Sequence, residues 1–364
     1  MKPSSVIGRL SLAVALLIAC HASGSGAEVV PAGDPTVLAG LSPYNWVAKG
    51  GRINSTVNGA SITLAFTKTR QVALAVDTGH QVHLAAGRFP IIAWTVNGGA
   101  AQTHQLAAAE TSVVLATGVA DPVIDLYVKG FSPFEDRFSG DVPVNSIVVT
   151  GFALDAGGKV AAAPLPERIW LDIGDSIMSG DATSGKGRPA DDLWAASDDG
   201  RASYGYLLAQ HFGYREARLA FGGYDWAGGM ANVPALSVLI DQKTSTVSRL
   251  EGGALKPAPS VVLINLGENG APADADVIRA LEKLRSRVTA TTRVIVMIPV
   301  SGRGRAEITR AFAAYKVSTK DEHAYLIDAG QTAYATTDGQ HPSAAGHQAI
   351  YEKALPLFVP VVAR

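Results

Sequence analysis

One cysteine is all the chain contains, and it stands at position 20 inside an apolar leader. The remainder has no pair of thiols to cross-link, so its stability rests on a packed core. An excess of one charge is also missing: 31 lysines and arginines face 32 aspartates and glutamates, for a formal net charge of −1. No basic run marks a nucleic-acid footprint or a polybasic membrane surface. Aromatic residues are sparse at 7%. Beyond the leader there is no apolar run long enough to span a bilayer. A phosphate cradle is absent too, because Ser301-Gly302-Arg303-Gly304-Arg305 has neither the Gly-x-Gly-x-x-Gly spacing nor a Gly-Lys-Ser/Thr ending. Arg303 and Arg305 read as solvated loop charges or contacts to a polar substrate. His80 and His83 have no further ligands at zinc-like spacing and read as surface residues, and His347 reads as structural. No metal and no cofactor are called for.

What is present is a large apolar content, 47% of 364 residues, which is ample for a core and points to two domains. At the start, Lys2 and Arg9 precede the short run LSLAVALLIA and the small residues CHASGSGAE. That order reads as a secretory signal peptide over residues 1–27, and hence an extracytoplasmic protein: periplasmic, anchored at the outer membrane or secreted. The context of Cys20, LIAC, resembles a bacterial lipobox. Two outcomes stay open: a lipidated Cys20 holding the protein to a membrane, or cleavage after Ala22 or Ala27 that discards it.

From residue 28 to 163 the pattern is short and alternating. Ile62, Leu64 and Phe66 share one face of a strand, as do Val72, Leu74 and Val76, and Ile124, Leu126 and Val128. A period of two marks half-buried antiparallel strands. Asn58-Gly59, Asn97-Gly98-Gly99 and Asp155-Ala156-Gly157-Gly158 supply turn signals. The expectation is an all-β sandwich of jelly-roll type. Ala161 to Glu167, with two prolines, reads as a connector. From residue 164 to 364 the rhythm changes: RIWLDI, SVVLINL, RVIVMI and AYLID alternate with helical stretches. In the clearest of these, Val277, Leu281, Leu284 and Val288 form one stripe. Continuous β-branched runs imply strands covered on both faces, hence a parallel sheet between helix layers, an α/β/α arrangement.

Reactive groups in open parallel sheets gather beyond the carboxyl ends of the strands. Four strand ends here carry Gly174-Asp175-Ser176, Gly222-Gly223-Tyr224-Asp225-Trp226, Gly267-Glu268-Asn269-Gly270, and Asp338 with His341. A serine hydroxyl attacks only when a base takes its proton and a third group orients the base. His341 suits the base, with Asp338 three residues earlier within reach of its other ring nitrogen. An oxyanion formed at an acyl carbon needs preorganised donors. The N–H of Ser176, a glycine N–H at 222 or 223 (we favour Gly223) and the amide of Asn269 supply three. Asp175 is expected to orient the loop rather than act as a base. Tyr224 and Trp226, beyond the second strand, have two readings, stacking on a substrate ring in the cleft or, for Trp226, packing beneath the loop, and Trp194 has the same standing.

This constellation resembles the SGNH (GDSL-type) hydrolases, named for a Ser, Gly, Asn and His in four blocks. The resemblance covers about Arg168 to Arg364 and rests on GDSI and DGQHPSAAGH. One block departs from the family pattern: Gly270 stands where an acid usually follows the asparagine. The resemblance implies a flavodoxin-like SGNH-hydrolase domain. A β-sandwich placed before such a domain resembles the two-domain carbohydrate esterases of family 2. That likeness implies an acetyl xylan esterase-like enzyme whose partner is an acetylated polysaccharide or oligosaccharide, and whose triad aspartate is not used by every member. Two alternatives remain. One keeps the same site on another acyl substrate, as esterase, lipase, thioesterase or acetyltransferase. The other is a carbohydrate-binding surface protein with an inactive hydrolase fold.

Overall fold

The computed structural model describes residues 28–185 and 187–363. The expected signal peptide and Cys20 lie outside the described residues. The first half contains β1 (Glu28–Pro31), α1 (Pro35–Ala39), β2 (Val47–Lys49), β3 (Arg52–Ser55), β4 (Ser61–Thr67), β5 (Gln71–Val76), β6 (Ile91–Val96), β7 (Gln102–Gln105), β8 (Ser112–Thr117), β9 (Val123–Gly130), β10 (Ile147–Leu154) and β11 (Lys159–Ala162). The second half contains β12 (Ile169–Gly174), α2 (Ser176–Ser179), α3 (Trp194–Ser197), α4 (Tyr204–His211), β13 (Arg215–Ala220), α5 (Leu236–Leu239), β14 (Gln242–Thr244), β15 (Val247–Ser248), β16 (Val261–Asn265), α6 (Asp274–Arg285), β17 (Arg293–Met297), α7 (Arg305–Thr319), β18 (Ala324–Ile327) and α8 (Ala344–Val362).

Eleven of these strands form two antiparallel sheets. One runs β2-β3-β10-β5-β8, with β1 also on β10, and the other β11-β4-β9-β6-β7. Their apolar faces meet. Phe66 on β4 lies against Phe152 on β10 with ring centres 5.6 Å apart, and the Trp94 indole on β6 donates to the Leu115 carbonyl on β8 at 2.8 Å. The residues of the three alternating stripes, Ile62 to Phe66, Val72 to Val76 and Ile124 to Val128, are all buried there. Asn97-Gly98 closes the β6–β7 hairpin with φ values of 52° and 69°, the backbone that Asn-Gly favours. The other two turn signals do not close hairpins. Asn58-Gly59 and Asp155 to Gly158 carry the chain from one sheet to the other.

The third sheet is parallel and ordered β13-β12-β16-β17-β18, which is 2-1-3-4-5 within this half. Its central strands are buried along their whole length, as an unbroken apolar run requires. Alternate residues separate the two faces. Val262 and Ile264 pack with Leu281 and Leu284 of α6 and Phe312 of α7, whereas Val261 and Leu263 pack with Leu208 of α4 and Ile350 and Phe358 of α8. The α6–α7 face belongs to the same apolar cluster as the interior of the antiparallel sheets. One continuous core therefore runs through both halves.

Candidate active site

β12 ends at Gly174 because a Cβ there would run into Met178, so only glycine lets α2 begin this close to the strand. Asp175 caps α2, its Oδ1 accepting from the Ile177 N–H at 2.9 Å, and Ser176 takes the first helical position. Burial, with Glu268, Asp181 and Asp225 nearby, pushes the Asp175 carboxyl up to about 8. Its Oδ1 points at the first turn of the helix, not at a reacting atom.

His341 comes from the loop between β18 and α8, where Ser343 caps the helix through Gly346 N–H at 3.1 Å. Its Nε2 lies 3.0 Å from Ser176 Oγ, and its Nδ1 lies 2.7 Å from Asp338 Oδ2. Asp338 Oδ1 accepts from the N–H groups of His341 at 2.7 Å and Gln340 at 3.0 Å. Burial alone would raise the Asp338 carboxyl. The hydrogen bonds from the His341 ring and from these two N–H groups outweigh burial and hold it below the usual carboxylate range. An ionised Asp338 accepts from Nδ1–H, which leaves Nε2 with a free lone pair facing the serine hydroxyl.

Ser176 and His341 line a pocket of about 160 Å³ together with Asp181, Gly223, Asn269 and Trp194. Gly223 has φ +63°, a left-handed backbone that turns the chain beside the serine. One N–H of the Asn269 amide donates to the Tyr224 carbonyl at 2.9 Å, and the amide lies at the pocket edge. Beside Gly270, where the family pattern has an acid, Asp225 Oδ2 lies 3.2 Å from where a Cβ would sit. Thus Ser176, Gly223, Asn269 and His341, from four strand ends, line one pocket, with Asp338 behind the His341 ring.

Tyr224 and Trp226 do not. They are 0% and 1% exposed and belong to the apolar core, so neither can stack on a sugar. The chain folds back on itself through paired hydrogen bonds between Asp225 and Gly228, which turns both rings inward. Tyr224 serves the site through its carbonyl alone. Trp194 does line the pocket. Its indole stands edge-on to the His341 ring at 5.9 Å, with Phe134 packed on it at 5.7 Å and the Arg188 guanidinium over it at 5.4 Å. His80 is half-buried, with Nε2 3.1 Å from Ser146 Oγ, rather than a plain surface residue. Arg303 and Arg305 are engaged with Glu268 and Asp328. His347 is fully buried, and burial, with Arg218 and His341 nearby, takes it down to about 3. Sequence reasoning missed Pro133, Phe134, Asp181 and Met230 in the pocket wall. The first two come from a loop after β9, in the other half of the chain, and no local pattern marks them. Among the described residues no cluster suited to a metal ion is found, and no helix is long and apolar enough to cross a membrane.

The fold, a parallel 2-1-3-4-5 sheet joined to two antiparallel sheets, is similar to solved structures that include family two carbohydrate esterases and an acyltransferase. A family two carbohydrate esterase from Cellvibrio japonicus superposes with a TM-score of 0.74 at 14% identity, over 93% of this chain and 98% of that one. The acetyl xylan esterase Est2A from the rumen bacterium Butyrivibrio proteoclasticus gives 0.72 at 16% identity, over 93% and 99%. The salicylyl-acyltransferase SsfX3 from a tetracycline biosynthetic pathway gives 0.60 at 15% identity, over 92% and 99%. At these identities the likeness is one of fold. No protein-family model and no curated protein sequence matches the chain.

Proposed function

We propose that the protein is a serine esterase that removes O-acetyl groups from carbohydrate. The observation that carries this reading is the unbroken relay from Asp338 through His341 to Ser176 Oγ at 2.7 and 3.0 Å, opening on a pocket. Ser176 Oγ attacks the acetyl carbonyl carbon while His341 Nε2 takes its proton. The carbonyl oxygen becomes an oxyanion held by the N–H groups of Ser176 and Gly223 and by the Asn269 amide. His341 returns the proton to the departing sugar oxygen, leaving an acetyl ester on Ser176. Water then attacks that ester, His341 takes its proton, and acetate leaves as the proton returns to Ser176. A pocket of about 160 Å³ has room for an acetyl group beside Ser176. The reading includes export of the protein, by an ordinary leader or through lipidated Cys20, and a sandwich unit over 28–163 that builds one wall of the pocket.

The test is acetate release from acetylated xylan and hydrolysis of p-nitrophenyl esters of rising chain length, with Ser176→Ala alongside. Release by the wild type, lost in the variant and falling with chain length, is expected. Equal rates in the two proteins would remove Ser176 as nucleophile, and a preference for long chains would remove the acetyl reading. The same site admits transfer of the acyl group to an acceptor other than water, a reading favoured by the likeness to an acyltransferase. Transfer products formed faster than acetate in the presence of an acceptor alcohol would select it. Polysaccharide binding without turnover would select an inactive binding protein.

A further inference from the structure

Three polar side chains line the pocket without a part in the acyl transfer above: Asp181, Arg188 and Gln340. The last two are exposed loop residues, but Asp181 is 1% exposed. A carboxyl group removed from water and placed in a pocket wall is costly unless something hydrogen-bonds it. Its inner side is satisfied. The Asn58 amide, fully buried and coming from the other half of the chain, donates from Nδ2 towards Asp181 Oδ1 at 3.2 Å, Ser179 Oγ at 2.9 Å and Asp198 Oδ2 at 3.3 Å. Its outer side, Oδ2, is turned to the pocket beside Gly222, where a Cβ would approach it to 2.9 Å.

Asp181 is also tied to the nucleophile. Its N–H donates to the Ser176 carbonyl at 2.9 Å, and the intervening Gly180, at φ +77°, leaves no room for a Cβ against Asp199. The carboxyl group and the attacking hydroxyl thus belong to one tight turn. We propose that Asp181 is a specificity-determining residue that holds a free hydroxyl of the alcohol half of the ester through Oδ2. The preferred substrate class is therefore an acylated polyol or sugar that retains an unesterified hydroxyl, rather than a simple alkyl or aryl ester. This inference rests on the esterase reading above.

The experiment compares kcat and KM for an acetylated xylo-oligosaccharide with those for p-nitrophenyl acetate, whose leaving group carries no second hydroxyl. The proteins are wild type, Asp181→Asn and Asp181→Ser, each checked for Tm, the second variant covering failure of the first to fold. The saccharide-to-aryl ratio of kcat/KM is expected to fall about three- to tenfold, the range of one hydrogen bond, mainly through KM. A loss shared equally by both substrates, as a structural support or a partner of the His341 charge would give, overturns the proposal, and so does no loss. Calorimetric titration of Ser176→Ala, with and without Asp181→Asn, by the deacetylated xylo-oligosaccharide answers without turnover. Weaker binding in the double variant supports the role and an unchanged Kd refutes it. A wild type that hydrolyses no ester sinks the esterase reading, and this titration still decides the role of Asp181.

Discussion

Asp338→Asn separates a carboxylate that only holds a ring in place from one that chooses which ring nitrogen carries the proton. In the wild type, Oδ1 accepts from two backbone N–H groups and Oδ2 accepts from His341 Nδ1. An asparagine has one oxygen, and the two N–H groups claim it, so its NH₂ faces Nδ1. The ring must then present a lone pair at Nδ1 and carry its proton on Nε2, where it donates to Ser176 instead of accepting from it. Restoring the productive tautomer requires either an N–H facing an N–H or a flipped amide that forfeits both backbone bonds. Two hydrogen bonds at about 1–1.5 kcal/mol each, plus the lost support of the imidazolium, give roughly 3–5 kcal/mol. That corresponds to about 10²–10⁴ in kcat. Asp338→Ala imposes no tautomer, so it is expected to lose less than the asparagine variant despite removing more. The assay is initial-rate hydrolysis of p-nitrophenyl acetate at saturation, with Tm to confirm folding and Ser176→Ala as the floor. A folded Asp338→Asn protein within tenfold of wild type, or one more active than Asp338→Ala, would refute the reasoning.

Gly223→Ala must hold an alanine at φ +63° and push aside the Met230 side chain, whose Cγ and Sδ lie 2.7 Å from the new Cβ. It should cost about 1–2 kcal/mol of stability and lower kcat by roughly tenfold or more, and an unchanged kcat would exclude the Gly223 N–H from the oxyanion site. Asp175→Asn keeps the helix cap and removes a carboxyl held at about 8 against an ordinary 3.8. The folded state binds that proton more tightly, so the stability it contributes is full below pH ~4 and drains away as pH rises to about 8. The Tm of the variant relative to wild type should therefore climb from pH 5 to 9, and a constant difference would count against a buried neutral acid. His347, held at about 3 against 6.5, has the opposite sign: its contribution is full above pH ~6.5 and lost as pH falls towards 3. His347→Asn should flatten the acid limb of a Tm profile, and an unaltered slope would speak against it. Asn58→Asp adds a third carboxyl against Asp181 and Asp198 and should destabilise more than Asn58→Ala, as read by urea midpoint; the reverse order would disprove the bridging role.

The parts of this site legible in the sequence are those that local chemistry encodes. Val261 to Ile264 reads as an unbroken apolar run because both of its faces are covered, so the strand and its carboxyl end can be placed without a structure. Asp338 and His341 are three residues apart, so their pairing is a property of one turn. Tyr224 and Trp226 illustrate the opposite case. They lie in an irregular return loop with no period, and whether such a ring faces a cleft or the core depends on packing that a short stretch of sequence does not carry. Asn58-Gly59 misleads for a related reason. The dipeptide marks a reversal correctly, but this reversal joins two different sheets, and the asparagine side chain is spent on partners more than 120 positions away.

Those long-range partners change what the connector after β11 divides. Beneath the pocket the two halves exchange buried cations. Arg137, from the first half, donates from Nε to the Thr56 carbonyl at 2.8 Å and lies 4.8 Å from the ring centre of Phe221 in the second half. Arg218, from the second half, is wedged against Gly59, its guanidinium 3.3 Å from where a Cβ there would sit, with Asn45 bridging its backbone. Each guanidinium takes its acceptors from its own half, Thr56 for Arg137 and Glu216, Gly200 and Ser203 for Arg218, while the opposite half supplies the cover that keeps it from water. The pocket follows the same logic, taking Pro133 and Phe134 from one half and Ser176, Asp181 and His341 from the other. The connector therefore divides secondary structure and not the core. The first half thus reaches the site through connecting segments, with Pro133 and Phe134 in the pocket wall and the Asn58 amide behind Asp181, so a change in either half of the chain reaches the residues around Ser176.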